Sequence, residues 1–155
     1  MPLLFAIATA ACASYTPPAA PAPKPHTVHT RFAAAWPAAI AFIEAAKFPI
    51  DHLDKPEGLL ETRGYELNRL DSVQWIDCGT AKFSPLDQPK SDSLVADLTV
   101  TITDMRDSVS VFVDLTAIAN TLVLSGNSRH IVQHACRSNG RFERELLERL
   151  RATSP

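Results

Sequence analysis

Glycine is scarce in this 155-residue chain, with only five. No glycine-rich phosphate loop is present. No Gly-x-Ser-x-Gly elbow surrounds Ser108, Ser110, Ser125 or Ser128. An excess of one charge is also missing. Fifteen Lys and Arg stand against seventeen Asp and Glu, so nothing resembles the basic footprint that nucleic-acid binding requires. Aromatic residues make up 7% of the chain. No apolar run reaches the roughly 20 residues that cross a bilayer. HExxH is absent, and the carboxylates Asp51, Asp54 and Glu57 do not have calcium-loop spacing. These absences remove the usual sequence arguments for an enzyme. The expectation is a non-enzymatic protein with no catalytic residue, no cofactor, no metal and no nucleic-acid partner.

The N-terminus carries the strongest positive signal. Leu3 to Ala11 is a short apolar run that ends in small residues before Cys12. Its length is that of a signal-peptide core followed by a cleavage site. Thr9-Ala10-Ala11-Cys12 resembles the lipobox of bacterial lipoproteins, with Thr9 in place of the usual leucine and Met1-Pro2 in place of a basic start. That resemblance implies lipidation of Cys12 and cleavage before it. Two or three acyl chains, at about 0.8 kcal/mol per buried CH₂, make a stable membrane anchor. Ala13 stands where lipoproteins kept in the inner membrane carry Asp, so the resemblance implies the outer membrane, on its periplasmic face. The alternative is a buried strand or helix end with an ordinary thiol. The next residues oppose it, because Pro17 to Pro25 alternates Ala and Pro. Such a sequence favours extended polyproline II and suits a semi-rigid spacer.

Three cysteines are present, Cys12, Cys78 and Cys136. An odd number in an exported protein needs an explanation. A lipid on Cys12 supplies one and leaves Cys78 and Cys136 as a pair that an oxidising periplasm can join. Closing that loop is worth up to about 4 kcal/mol in the chain-entropy model. Two buried free thiols are the alternative.

Hydrophobic periodicity then sets the fold class. His26 to Phe32 alternates as a first edge strand. Ala33 to Lys47 reads as a helix, with Pro37 in its first turn and Trp36, Ile40, Ile43 and Lys47 at helical spacing. Ile50–Leu53 and Leu59–Thr62 form a hairpin about the turn Asp54–Gly58, and Ser72–Cys78 is a further strand. Residues 79–93 read as a long polar loop. Leu98, Val100 and Ile102, then Val109, Val111, Val113 and Leu115, alternate with polar residues around a turn at Asp104–Asp107. They predict an antiparallel hairpin with one apolar face. Ala117–Leu124 fits either a continued strand or a short helix. After Cys136, Ser138 or Asn139 can cap a last helix lined by Phe142, Leu146, Leu147 and Leu150. The sum is an α+β fold, an antiparallel sheet with two helices on one face. Residues 1–11 read as signal peptide, 12–25 as lipid anchor and Pro/Ala-rich linker, and 26–155 as a single α+β periplasmic domain.

The segment Trp36…Ile40…Ile43…Phe48-Pro49-Ile50-Asp51…Asp54-Lys55…Gly58-Leu59-Leu60…Thr62 resembles the repeated domain of the BamC family, the lipoprotein C subunit of the outer-membrane β-barrel assembly machine. Trp75–Gly79 together with Cys136–Glu143 also resembles single-domain envelope lipoproteins of uncharacterised role. The resemblance implies a helix-grip fold. It also implies an accessory protein-interaction role in the envelope, with outer-membrane protein assembly as the associated process and an unidentified envelope protein as partner. The chain differs from BamC in having one domain and a cysteine pair.

Two further expectations concern sites. A groove beside Trp36, Ile40 and Phe48, between helix and sheet, could take a small apolar ligand or peptide. His130, His134 and Cys136 have ligand-like spacing for zinc, although two surface histidines beside a loop, with the cysteine in a disulfide, account for them as well.

Overall fold

A computed structural model describes residues 14–19, 22–67, 74–83 and 87–153. Cys12, the apolar run before it and positions 72–73 of the expected strand lie outside the described residues.

The fold is built on one long hairpin. Strand β7 (Asp87–Met105) pairs with β8 (Ser108–Ser125) along its whole length, around the two-residue turn Arg106-Asp107. The free edge of β7 takes β4 (Leu59–Leu67), which in turn pairs with β3 (His52–Asp54). On the far edge of β8 lie β2 (His26–Val28) at one end and β9 (Ser128–Ser138) at the other, and β5 (Ile76–Asp77) pairs with the end of β9. A separate ribbon joins β1 (Ser14–Thr16) to β6 (Thr80–Lys82). Every pairing among the described residues is antiparallel. The order β3-β4-β7-β8-β9-β5, with helices α1 (Phe32–Ala45) and α2 (Arg141–Arg151), makes an α+β fold.

Several stretches differ from the periodicity reading. Ser14–Thr16 of the expected linker pairs as β1, only Ile76–Asp77 of residues 74–78 is a strand, and Ser128–Ser138, for which periodicity predicts no strand, is β9. The expected loop at 79–93 contains β6 and the first seven residues of β7, whose register shifts between Pro89 and Ser91. Proline and a run of polar residues conceal a strand whose only partner there, among the described residues, is β8. Ala117–Leu124 continues β8 and is not helical.

Both helices lie in one core cluster with the same face of the sheet. Ala35, Trp36, Ala39 and Ile43 from α1 meet Phe142, Leu146, Leu147 and Leu150 from α2. Beneath them lie alternate residues of β7 and β8, among them Leu98, Val100, Ile102, Val109 and Val111. Phe142 is the hub. Its ring lies 5.1 Å from Phe42, 5.5 Å from Phe48 and 5.5 Å from Trp75, edge-on in each case. Such edge contacts add about 0.5–1.5 kcal/mol each beyond burial.

Local chemistry ends each helix. Pro37 sits in the second turn of α1, one turn later than expected, on an exposed position. There it forgoes one intrahelical hydrogen bond. At the C-terminus the Lys47 N–H bonds Glu44 O (2.9 Å) and the Phe48 N–H bonds Ile43 O (3.1 Å), with Lys47 left-handed at φ 62°. This is a Schellman ending that delivers Phe48 into the core. At α2, Asn139 Oδ1 accepts the Arg141 N–H and Ser138 Oγ accepts the Gly140 N–H, both at 3.0 Å. Ser138 Oγ also donates to the Glu143 carboxylate at 2.6 Å. The N-cap itself is Gly140, with no side-chain cap bond, so neither Ser138 nor Asn139 takes the expected cap position; they hold the turn ahead of it.

Cys78 and Cys136 form a disulfide across 58 positions. It ties the chain just after β5 to β9, one layer beneath α2.

Candidate binding site

The far edge of β8 is covered in two pieces. β2 pairs as far as Val111, and β9 begins at Thr116. Phe112 to Leu115 has no partner strand on that edge among the described residues. At about 3.4 Å per residue the gap is roughly 13 Å long. Sequence dictates both of its ends. The chain leading into β2 is Pro23-Lys24-Pro25, and proline has no N–H for a ladder. At the other end β9 stops at Ser138, and Gly140, left-handed at φ 83°, turns the chain into α2.

A cavity of about 600 Å³ opens at this gap. That volume lies within the range of about 300–1,000 Å³ typical of ligand sites. Its floor is apolar, formed by the buried Val113, Leu115 and Leu147. Ala22 and Pro23 of the arm form one wall. Four cations reach it, Lys24, Arg137, Arg144 and Arg151, all on exposed residues, together with His26. Two carboxylates answer them, Asp114 and Glu143, and Glu143 already accepts the Ser138 hydroxyl. Among the described residues no ion pair joins these cations to either carboxylate. The arrangement offers unpaired main-chain groups, an apolar floor and excess positive charge. Its lining includes one hydroxyl–carboxylate contact, Ser138 Oγ to Glu143 at 2.6 Å.

The residues singled out in the sequence lie elsewhere. Trp36 and Phe48 are buried in the core, 5% and 1% exposed, and Ile40 packs against it half-buried. They fill the space between helix and sheet. His130 and His134 share a face of β9, opposite Val123 and Ala119. Four residues along a strand put them about 13 Å apart, too far for one ion held at about 2 Å from each ring. Cys136, two residues on, is consumed by the disulfide. His134 packs instead against Tyr15, ring centroids 5.2 Å apart, and the Tyr15 hydroxyl donates to Ala135 O. Among the described residues no three His, Cys, Asp or Glu converge on a metal position.

The carboxylates near the hairpins serve the backbone. Asp51 Oδ2 accepts the Arg63 N–H and Asp97 Oδ1 the Gly64 N–H, each at 2.7 Å. Between them they satisfy the irregularity in β4 between Thr62 and Tyr65. Asp54 Oδ1 accepts the Glu57 N–H at 3.2 Å within its turn.

Periodicity could not have located the cavity, because a gap is a property of pairing. The signals available were Pro25 directly before a strand and Gly140 two residues after one. No protein-family model matches the chain, and no curated protein matches it either.

Proposed function

We propose that this chain is a lipid-anchored, non-enzymatic protein-interaction module of the bacterial envelope, held by Cys12 on the periplasmic face of the outer membrane. The observation that carries the reading is the Cys78–Cys136 disulfide. Such a bond persists in oxidising compartments and is rare in the cytosol. It absorbs two of the three cysteines and leaves Cys12 to be explained, at the end of an apolar run with the features of an export signal. The Ala/Pro stretch that follows suits a tether. Among the described residues no helix is long and apolar enough to cross a membrane. In its finer form the reading takes the domain as BamC-like and helix-grip, supported by the helix and hairpin from Trp36 to Thr62 and by two helices packed on one sheet face. Outer-membrane protein assembly is then the process in which a partner is to be sought.

Growth with a fatty-acid analogue tests the anchor. Wild type incorporates the label, Cys12→Ser does not, and an unlabelled wild type removes the lipoprotein reading. Crosslinking in intact membranes, followed by identification of the captured protein, tests the interaction role.

The second reading, a binding module for a small apolar ligand or peptide, is favoured by the cavity in the β8 gap and not by the filled space around Trp36.

A further inference from the structure

The gap in the β8 edge has a shape that selects its occupant. It is closed at both ends, by β2 at Val111 and by β9 at Thr116, and walled in part by Ala22 and Pro23. A strand paired with Phe112–Leu115 is therefore limited to about four residues and has to leave the edge at any end where it does not terminate. A chain end fits that length with one departure instead of two. The unpaired N–H and C=O groups of the edge call for a partner with a main chain of its own. The apolar floor calls for an apolar side chain, which a phosphate or a free sugar lacks. The cations at the rim outnumber the carboxylates, and that excess favours a terminus carrying negative charge over one carrying an amine.

We infer that the gap receives the C-terminal end of another polypeptide. The last three or four residues add as a short strand along Phe112–Leu115. The terminal apolar side chain rests against Leu147, and the α-carboxylate meets Arg137 and Arg144. Arginine suits this role because its planar fork of donors matches a carboxylate. The Pro23–Pro25 segment keeps the site open, since a segment able to donate there could extend β2 along the edge and fill it. The inference rests on the protein-interaction reading and is independent of the lipid anchor.

The test uses the purified, oxidised protein on a solid support. Two pools of fully randomised hexapeptides are passed over it, one with free C-terminal carboxylates and one amidated, and the retained peptides are sequenced by mass spectrometry. The free-acid pool should be enriched in peptides ending in an apolar residue, with retention about tenfold above that of the amide pool. Arg137→Gln with Arg144→Gln should lower that retention about tenfold, with unchanged thermal unfolding because both side chains are exposed. Bound free-acid peptide should slow hydrogen exchange within 112–115. Cys12→Ser should capture the same peptides as wild type, so a failed lipid label leaves this result standing. Equal retention of acid and amide, no enrichment in either pool, or enrichment that survives loss of both arginines would each overturn the inference.

Discussion

The long β7–β8 hairpin has two faces that share a strand alternation and differ in surroundings. Near the Arg106 turn, Leu98, Val100, Ile102, Val109 and Val111 lie beneath the two helices and are at most 1% exposed. Further along β8 the same face stays buried at Ala117, Ala119, Thr121 and Val123. The opposite face is open, with Ile118 50% exposed and Ile131, beside Leu122 on β9, 65% exposed. Along Ser128–Ala135 the outer edge of β9 has no partner strand among the described residues. Strand alternation exists on both faces, but only one has helices laid upon it. Alternation tells which residues share a face, and burial depends on what the rest of the chain places against that face.

The largest expected effect contrasts these faces directly. Phe142→Ala empties the hub where three other rings meet, and should cost about 3–5 kcal/mol in denaturant unfolding. Ile131→Ala on the open face should stay within about 0.5 kcal/mol. A cost for Ile131 approaching that of Phe142 would mean that the open face is covered in solution and would break the comparison.

Reduction of the disulfide comes next, with a loss of up to about 4 kcal/mol. It should also act unevenly. Cys136 anchors the end of β9 nearest the core, so amide exchange should accelerate more in β9 than in β4, which no disulfide reaches. Equal acceleration in both would show one cooperative unit.

Two glycines give a matched pair at opposite ends. Gly58 and Gly126 are both left-handed, at φ 66° and 57°. A Cβ on Gly58 would run into the carbonyl oxygen of Ile102, whereas one on Gly126 meets nothing within 4 Å. Gly126→Ala should therefore cost only the conformational term, about 1–2 kcal/mol. Gly58→Ala should cost more, because it must also move a β7 backbone whose Ile102 N–H bonds Gly58 O at 2.8 Å. Thermal melts of the two variants measure the difference.

How much of this was legible follows the same division. The hairpin around Arg106 and both helices could be read because one face of each element is apolar and the other polar. Ala117–Leu124 resisted because Ala119 and Val123 occupy one face while Ile118, Leu122 and Leu124 occupy the other, which erases the period of two. The first third of β7 was hidden by Pro89 and polar neighbours. Of the candidate site, the cations and the proline signal were visible as residues. Their convergence was not, since Lys24, Asp114 and Arg144 meet only through pairings far apart in the chain.

The smallest effect separates the two regions by pH. Glu145 belongs to the covered side. Its carboxylate accepts from Arg141 Nε at 2.6 Å and from Trp75 Nε1 at 3.4 Å. The Arg141 hydrogen bond is the main reason its carboxyl group is held below the ordinary value of 4.5. A depressed folded value means that the native state favours the ionised form. The resulting stability is present above the ordinary value and is lost as pH falls through the lowered one. The pair is a surface i,i+4 contact, so the loss should be about 0.2–0.5 kcal/mol. Tyr15 belongs to the β1–β6 ribbon, with its hydroxyl on Ala135 O. Burial, aided by the charge of Asp77 and opposed by Arg137, raises it above the ordinary value of 10.0. Its stabilisation is complete below that value and declines as pH rises through the raised one. Glu145→Gln should thus flatten only the acid limb of a stability–pH profile, and Tyr15→Phe only the alkaline limb. Carboxyl-carbon NMR can follow the first group and phenolate absorbance the second. If either variant altered both limbs, the β1–β6 ribbon and the Phe142 cluster would have to be treated as one coupled structure, because two groups with no shared partner should titrate independently.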